Sequence, residues 1–261
     1  MNKINQFSGK RILLVGATGI LGRGYAAAIA KLDVQCVIAD VPESDVLAYA
    51  NELGIKGCEI DVSSEVSIVN CLKYVESELG GLDSVINNAA ATSESLMADG
   101  DLFDDFEDYP LSVWKKTIDV NLTGAFLLAR EAGRLIKKTS KNGNMINISS
   151  IYGLVGPDHR IYKNQKFKSL PGYSASKSGV IGFSKWLSTW WGGTIRVNCV
   201  SPGGVFNNHN DKFVADYSHR VPMGRMASRE ELVGIIIYLL SDASSYVTGQ
   251  NFVIDGGYTA W

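Results

Sequence analysis

Two tyrosine–lysine pairs with a spacing of four could do proton chemistry: Tyr173 with Lys177 in YSASK, and Tyr162 with Lys166 in YKNQK. A phenol with a pKa near 10 exchanges a proton with an alcohol at pH 7 only if its ionisation is eased by about 3 units, roughly 4 kcal/mol. A neighbouring ammonium typically supplies about 1 to 3 of those units by stabilising the phenolate. With 11 tyrosines in 261 residues, chance alone places about one such pair, so spacing does not choose between them.

The element that carries the pair does choose. Residues i and i+4 face each other, about 5 to 6 Å apart at Cβ, only on a stable helix. YSASKSGVIGFSKWLSTWW predicts one, with Val180, Phe183, Leu187 and Trp190 as its buried stripe opposite the small residues. YKNQKFKSLPG has no such stripe and is stopped by Pro171. Tyr173 and Lys177 are therefore the expected working pair, although Tyr162 lies nearer in sequence to the serines that precede it.

Around this helix, β-branched runs at 11–15, 34–39, 56–60, 83–87, 144–149, 194–200 and 251–255 alternate with segments whose apolar residues recur three and four apart, such as SEVSIVNCLKYVESEL. Strands alternating with helices predict an α/β fold: a doubly wound, seven-stranded parallel sheet with helices on both faces. No repeat or linker divides the chain, and one domain over 1–261 is expected. Residues 94–108 carry seven acidic groups and no basic one, read as a solvated loop. Residues 159–168 carry the basic run Arg160, Lys163, Lys166 and Lys168 and lack helix caps.

RILLVGATGILGRGYAAAIAKL is a buried strand, a glycine-rich turn and an alanine-rich helix. The helix start aims unpaired N–H groups and the positive end of its dipole at the turn, an arrangement that binds anions. Gly16, Gly19 and Gly22 give the tight turn, close backbone approach and helix packing that a pyrophosphate requires. Asp40, at the end of the second strand, can accept from both ribose hydroxyls and repel a 2′-phosphate; no basic residue stands at Thr18 or Val41. NAD is accordingly expected over NADP.

Composition excludes several classes. A net charge of −2 and a pI near 6.0 offer no long-range attraction to nucleic acid. No apolar run reaches the roughly 18 residues needed to span a bilayer, and MNKINQFSGK lacks a signal-peptide core, so a cytoplasmic protein is expected. Cys36, Cys58, Cys71 and Cys199 show no Cys-x-x-Cys spacing, consistent with a reducing compartment. His159, His209 and His219 lack metal-like spacing, and no metal is expected.

Taken in order, VGATGILGRG, EIDVSS, INNAA, DVNLTGAF, NMINISS, YSASKSG, IRVNCVSPGGV and VTGQNFVIDGG resemble the short-chain dehydrogenases/reductases across nearly the whole chain. The resemblance implies a Rossmann fold, a homodimer or homotetramer, and hydride exchange between a nicotinamide and a carbonyl or secondary alcohol. It implies cofactor contacts from Gly16, Thr18, Gly19, Ile20, Leu21, Gly22 and Asp40, from Asp61 and Val62 at adenine, and from Asn88, Ala89 and Ala90 near the ribose. Pro202, Gly203 and Val205 would hold the carboxamide, and Tyr173 and Lys177 would also reach the cofactor. The implied catalytic group is Asn121, Ser150, Tyr173 and Lys177, with Ser150 on the substrate oxygen and Asn121 positioning a water.

This sequence departs from the common family pattern in three places. Ile20 stands where the middle glycine is usual and Val15 where a threonine is; Asn207 replaces a threonine; and Ser150 and Tyr173 are 23 residues apart. NISSIYGLVGPDHRIY, PGGVFNNHN and DGGYTAW resemble a bacterial subgroup of surface-sugar and flagellin-modification enzymes, which implies a small-molecule substrate such as a sugar or sugar derivative. The basic run is open to two readings, an anionic substrate contact or a solvated loop. Two alternatives are an NAD-dependent sugar epimerase or dehydratase, against which the 84 residues after Lys177 leave little room, and a non-catalytic NAD-binding regulator.

Overall fold

The computed structural model describes residues 7, 9–96, 105–163, 165 and 168–261. Lys166 and most of the acidic segment lie outside the described residues. In chain order the first half runs β1 (Lys10–Val15), α1 (Ile20–Ile29), β2 (Val34–Asp40), α2 (Val46–Leu53), β3 (Lys56–Glu59), α3 (Glu65–Leu79) and β4 (Ser84–Asn87). Next come α4 (Ser93–Leu96), α5 (Leu111–Ile118), α6 (Gly124–Thr139), β5 (Gly143–Ile148), α7 (Pro171–Trp191), β6 (Ile195–Pro202), α8 (Asp211–Ser218), α9 (Val233–Leu240) and β7 (Asn251–Ile254).

The strands form one parallel sheet in the order β3-β2-β1-β4-β5-β6-β7. Strand order reverses between β1 and β4, and a crevice opens outside the carboxyl ends there, where ligands bind in open α/β sheets.

Strand periodicity explains the two layers. Along β1, Leu13 and Val15 join Ile68, Leu72, Leu128, Ile136 and Leu187 from α3, α6 and α7. The intervening Ile12 and Leu14 join Tyr25, Ile29, Val46, Ile236 and Leu239 from α1, α2 and α9. A strand buried on both sides reads as a continuous apolar run, and each such side chain contributes about 1.5–3 kcal/mol.

α7 is helical as expected, with Pro171 at its first turn, a position that needs no intrahelical N–H bond. Its buried stripe differs from the expectation. Val180 and Leu187 are buried, but Trp190 is 69 % exposed, and Trp191 takes the inward place. Trp191 lies i+4 from Leu187 and fits against Gly133 of α6, where a Cβ would come within 2.4 Å of the indole. Trp186 and Trp190 instead stack on each other outside, 5.4 Å between centroids.

Candidate active site

The phosphate turn is built by close backbone approach. Gly16 has φ +78, and a Cβ there would lie 2.6 Å from the backbone of Asn88 and Ala89. At Gly22 a Cβ would stand 2.0 Å from the Gly16 carbonyl oxygen. Asn88 holds the turn from β4, its Nδ2 donating to Gly16 O at 2.7 Å and its N–H to Val15 O at 2.9 Å. Gly19 is the N-cap of α1 and supplies no side-chain cap, so the first N–H groups of that helix face the turn without a side-chain acceptor. Ile20, the departure from the common glycine pattern, is the first helical residue and lines the cavity beside Tyr173. These features fit a dinucleotide pyrophosphate.

Asp40 stands at the end of β2 but is already engaged. Its Oδ2 accepts from Thr18 N at 2.7 Å and Thr18 Oγ1 at 2.6 Å, and its Oδ1 accepts from Val41 N at 2.9 Å. Each carboxylate oxygen carries two lone pairs, so Asp40 fixes the turn and keeps one acceptor position open where two ribose hydroxyls were expected to bind. Asp61 follows β3 on the same edge and accepts from Ser63, while Val62 is buried against Gly124. Ala89 packs beside Gly16, and Ala90 follows in the same turn. Leu21 is half-buried in the first turn of α1, against the core face that holds Tyr25.

Farther along the carboxyl edge, α7 delivers Tyr173 and Lys177. Lys177 is 2 % exposed; its ammonium donates to Ile148 O at 2.9 Å and lies 5.5 Å from the centroid of the Tyr173 ring. Burial pushes the Lys177 pKa down to about 8. β5 and α7 are locked together here, since Ser149 Oγ donates to Lys177 O at 2.8 Å and a Cβ on Gly153 would meet the Lys177 backbone at 2.8 Å.

Asn121 lies in a π-helical turn, Asp119–Thr123, that widens the helix between α5 and α6. Its side chain is committed to structure: Oδ1 accepts from Ala91 N at 2.6 Å, and Nδ2 donates to Ala91 O at 3.2 Å and Ser176 Oγ at 3.1 Å. It therefore ties the β4 exit to the first turns of α7.

Ser150 and Tyr173 open into one cavity of about 190 Å³, with Ile20 and Val205 on its cofactor side and Phe213 and Tyr217 opposite. Gly203 lines it too, with its N–H fixed to Ile254 O, and Pro202 closes β6 just before it. Asn207 is exposed and bonded through its N–H to His209 Nδ1.

Tyr162 is not on a helix that could pair it with Lys166. It ends a short 3-10 turn, His159–Tyr162, capped by Asp158, whose side chain accepts from Arg160 N. The cap is a local one that the sequence expectation did not include, and the same carboxylate is paired with Arg160 and with Arg220. The Arg160 guanidinium beside Asp158 holds that carboxyl well below the usual range. Tyr162 nevertheless lines the cavity, packs 5.7 Å from Phe213 and is hydrogen-bonded to Tyr152. Arg160, Lys163 and Lys168 do not line it.

Sequence reasoning passed over Tyr152, Phe213 and Tyr217. Phe213 and Tyr217, four apart in DKFVADYS, carried a faint helical signal; Tyr152 carried none beyond its place two residues after Ser150.

A family model described as enoyl-(acyl carrier protein) reductase matches residues 16–259. The chain is 32 % identical over 255 residues to the 3-alpha-(or 20-beta)-hydroxysteroid dehydrogenase of Mycobacterium tuberculosis, covering 97 % of this chain and 90 % of that protein. A short-chain dehydrogenase from Leptospira borgpetersenii, solved with bound NAD+, superposes with a TM-score of 0.86 at 32 % identity, over 99 % of this chain and 96 % of the other. The NADPH-dependent 3-quinuclidinone reductase of Rhodotorula rubra gives 0.83 at 28 % identity, over 99 % and 94 %. No described helix is long and apolar enough to cross a membrane. With its glycine turn at β1, its parallel sheet and its Ser150–Tyr173 cavity, the chain belongs to the short-chain dehydrogenases/reductases, NAD(P)-dependent oxidoreductases acting on CH–OH groups.

Proposed function

We propose that the protein interconverts a secondary alcohol and a ketone with NAD(H), using Tyr173 as general acid/base. The observation that carries this is the Lys177 ammonium, buried between Ile148 O and the Tyr173 ring at the wall of a cavity that Ser150 shares. In alcohol oxidation the Tyr173 phenolate takes the proton from the substrate oxygen and becomes the phenol; in ketone reduction the Tyr173 hydroxyl donates its proton to that oxygen and becomes the phenolate. Lys177 stabilises the phenolate form, and Ser150 orients the substrate oxygen by hydrogen bonding. Asn121 acts at one remove, by fixing Ala91 and Ser176. When bound, the nicotinamide supplies or accepts the hydride.

The uncapped start of α1, Asp40, Asn88 and the Pro202–Val205 segment are the residues fitted to hold the dinucleotide. The relatives above include one protein solved with NAD+ and another that is NADPH-dependent, so the choice falls to this chain's own residues. The Asp40 carboxylate, with no basic residue at Thr18 or Val41, favours NAD. The segments around Ser150, Asn207 and the chain end support a sugar or sugar derivative of bacterial surface-glycan synthesis as substrate. A cytoplasmic homodimer or homotetramer belongs to the same proposal, with the outward Trp186–Trp190 stack as a candidate contact.

Tyr173→Phe is expected to lower kcat at least about a hundredfold while NADH binding, followed by quenching of tryptophan fluorescence, stays within about twofold. An active Tyr173→Phe protein beside an inactive Tyr162→Phe protein would overturn the assignment.

A further inference from the structure

The cavity walls ask for a particular kind of substrate. Among the described residues that line it there is no Asp, Glu, Lys or Arg. There are instead hydroxyls: Thr92, Ser93 and Ser169, and the phenols of Tyr152 from the turn after β5, Tyr162 from the insertion at 159–168 that lengthens the Ser150–Tyr173 connection, and Tyr217 from α8. A carboxylate or phosphate placed here would find no lysine or arginine, only the imidazole of His209, and a bare hydrocarbon would strip water from phenols without replacing its hydrogen bonds, a cost of about 1–3 kcal/mol per group.

The central feature of this wall is the pair Tyr152–Tyr162, whose hydroxyls lie 2.7 Å apart although the two residues come from different segments. Tyr162 is held from behind by its ring contact with Phe213, and its turn is anchored by Asp158 to Arg160 and Arg220. Burial raises the Tyr152 phenol far above its ordinary pKa, and Tyr162 raises it further, so Tyr152 stays a neutral hydroxyl throughout the working pH range. Two neutral hydroxyls in contact offer a third oxygen both a donor and an acceptor. That combination matches an alcohol group, which also donates and accepts.

We propose that Tyr152 and Tyr162 form a specificity element that holds a second, unreacting hydroxyl of an uncharged substrate while Ser150 and Tyr173 hold the oxygen that reacts. The substrate class is then a compact neutral diol or polyol, or the corresponding hydroxyketone. A cavity of about 190 Å³, below the usual range for small-molecule sites, suits a single ring. The inference rests on the assignment of Tyr173 as acid/base and adds to it a role for the insertion.

The test uses NAD with trans-1,2-cyclohexanediol and cyclohexanol as probes, two rings that differ by one hydroxyl. The wild-type protein is expected to favour the diol at least about tenfold in kcat/KM, one neutral hydrogen bond in a desolvated site. Tyr162→Phe and Tyr152→Phe are each expected to cut that selectivity ratio about tenfold, through KM for the diol rather than kcat. NADH binding by fluorescence quenching verifies that each variant is folded. Equal use of the two alcohols, no turnover of the diol, or variants that leave the ratio unchanged would overturn the proposal. Tyr173→Phe assayed alongside separates the two claims: if it keeps its turnover the acid/base assignment fails, whereas a lost diol preference with Tyr173→Phe inactive removes only the role of the tyrosine pair.

Discussion

Replacing Lys177 by methionine is expected to make the protein more stable while abolishing its turnover. The residue is 2 % exposed, and among the described contacts its ammonium finds one hydrogen-bond acceptor, Ile148 O, and no carboxylate. Burial lowers its pKa from 10.5 to about 8. At 1.36 kcal/mol per unit, keeping the charge buried costs about 3 kcal/mol at pH 7. Methionine fills nearly the same space without charge but leaves Ile148 O short of a donor, about 1 kcal/mol. The net gain of about 2 kcal/mol corresponds to a melting temperature higher by roughly 4–8 °C in a domain of this size. The gain depends on pH with a definite sign. Below pH 8 the lysine is protonated both folded and unfolded, and the whole cost is present. Between about 8 and 10.5 only the unfolded state keeps its proton, so the wild-type protein gains stability as pH rises and the gap to Lys177→Met shrinks. By pH 9.5 it should be smaller by about 2 kcal/mol. Differential scanning fluorimetry of the cofactor-free proteins at pH 7 and 9.5 measures this directly, and titrations elsewhere in the chain cancel between the two. A variant that melts below the wild type at pH 7, or a gap independent of pH, would refute the view that Lys177 holds a costly buried charge for the sake of chemistry.

Three further perturbations address the dinucleotide site. Gly22→Ala drives a Cβ into the Gly16 carbonyl and should cost about 1–3 kcal/mol of stability by overpacking. Gly19→Ala meets nothing nearer than 3.9 Å, so its melting temperature should hold within about 2 °C while NADH affinity falls as the methyl group occupies the approach of the pyrophosphate; thermal melts and fluorescence titration resolve the pair. For cofactor choice, the wild type should prefer NAD in kcat/KM, and Asp40→Ala should lower the NAD-to-NADP ratio at least about tenfold by removing a charge that repels a 2′-phosphate. Its melting temperature should fall as well, since Thr18 loses its acceptor. A wild type that uses both cofactors equally would contradict the role given to Asp40.

The fold was legible because each strand announces itself locally: all seven β-branched runs became strands within one or two residues of the expected ends, and their alternation with helices dictates a parallel sheet. Gly16 and Gly22 were legible because only a residue without Cβ fits where they sit. The less legible features depend on residues far apart in sequence. Trp191, not Trp190, turns inward because Gly133, on another helix, leaves room for it. Asp40 is engaged by Thr18, 22 residues earlier, which no motif spacing records. The ion pair that anchors the turn ending at Tyr162 joins Asp158 to Arg220, 62 residues away. Local patterns thus carry the elements and leave the polar contacts between them unspecified.

Tyr162 shows how the two kinds of information combine. Its spacing from Lys166, which lies outside the described residues, suggested chemistry, yet Tyr162 closes a short 3-10 turn. The insertion instead brings this phenol to the cavity from outside, braced by α8, while the Tyr173–Lys177 pair comes from a helix locked to β5 through Ser149 and Ile148. If acid/base chemistry and recognition are divided in this way, the rigid sheet-bound element keeps the ammonium and phenol aligned, and the surface-facing turn defines which alcohol enters. A change at Tyr162 would then alter substrate preference with little effect on the Lys177 ammonium, which is held from β5 through Ile148 O.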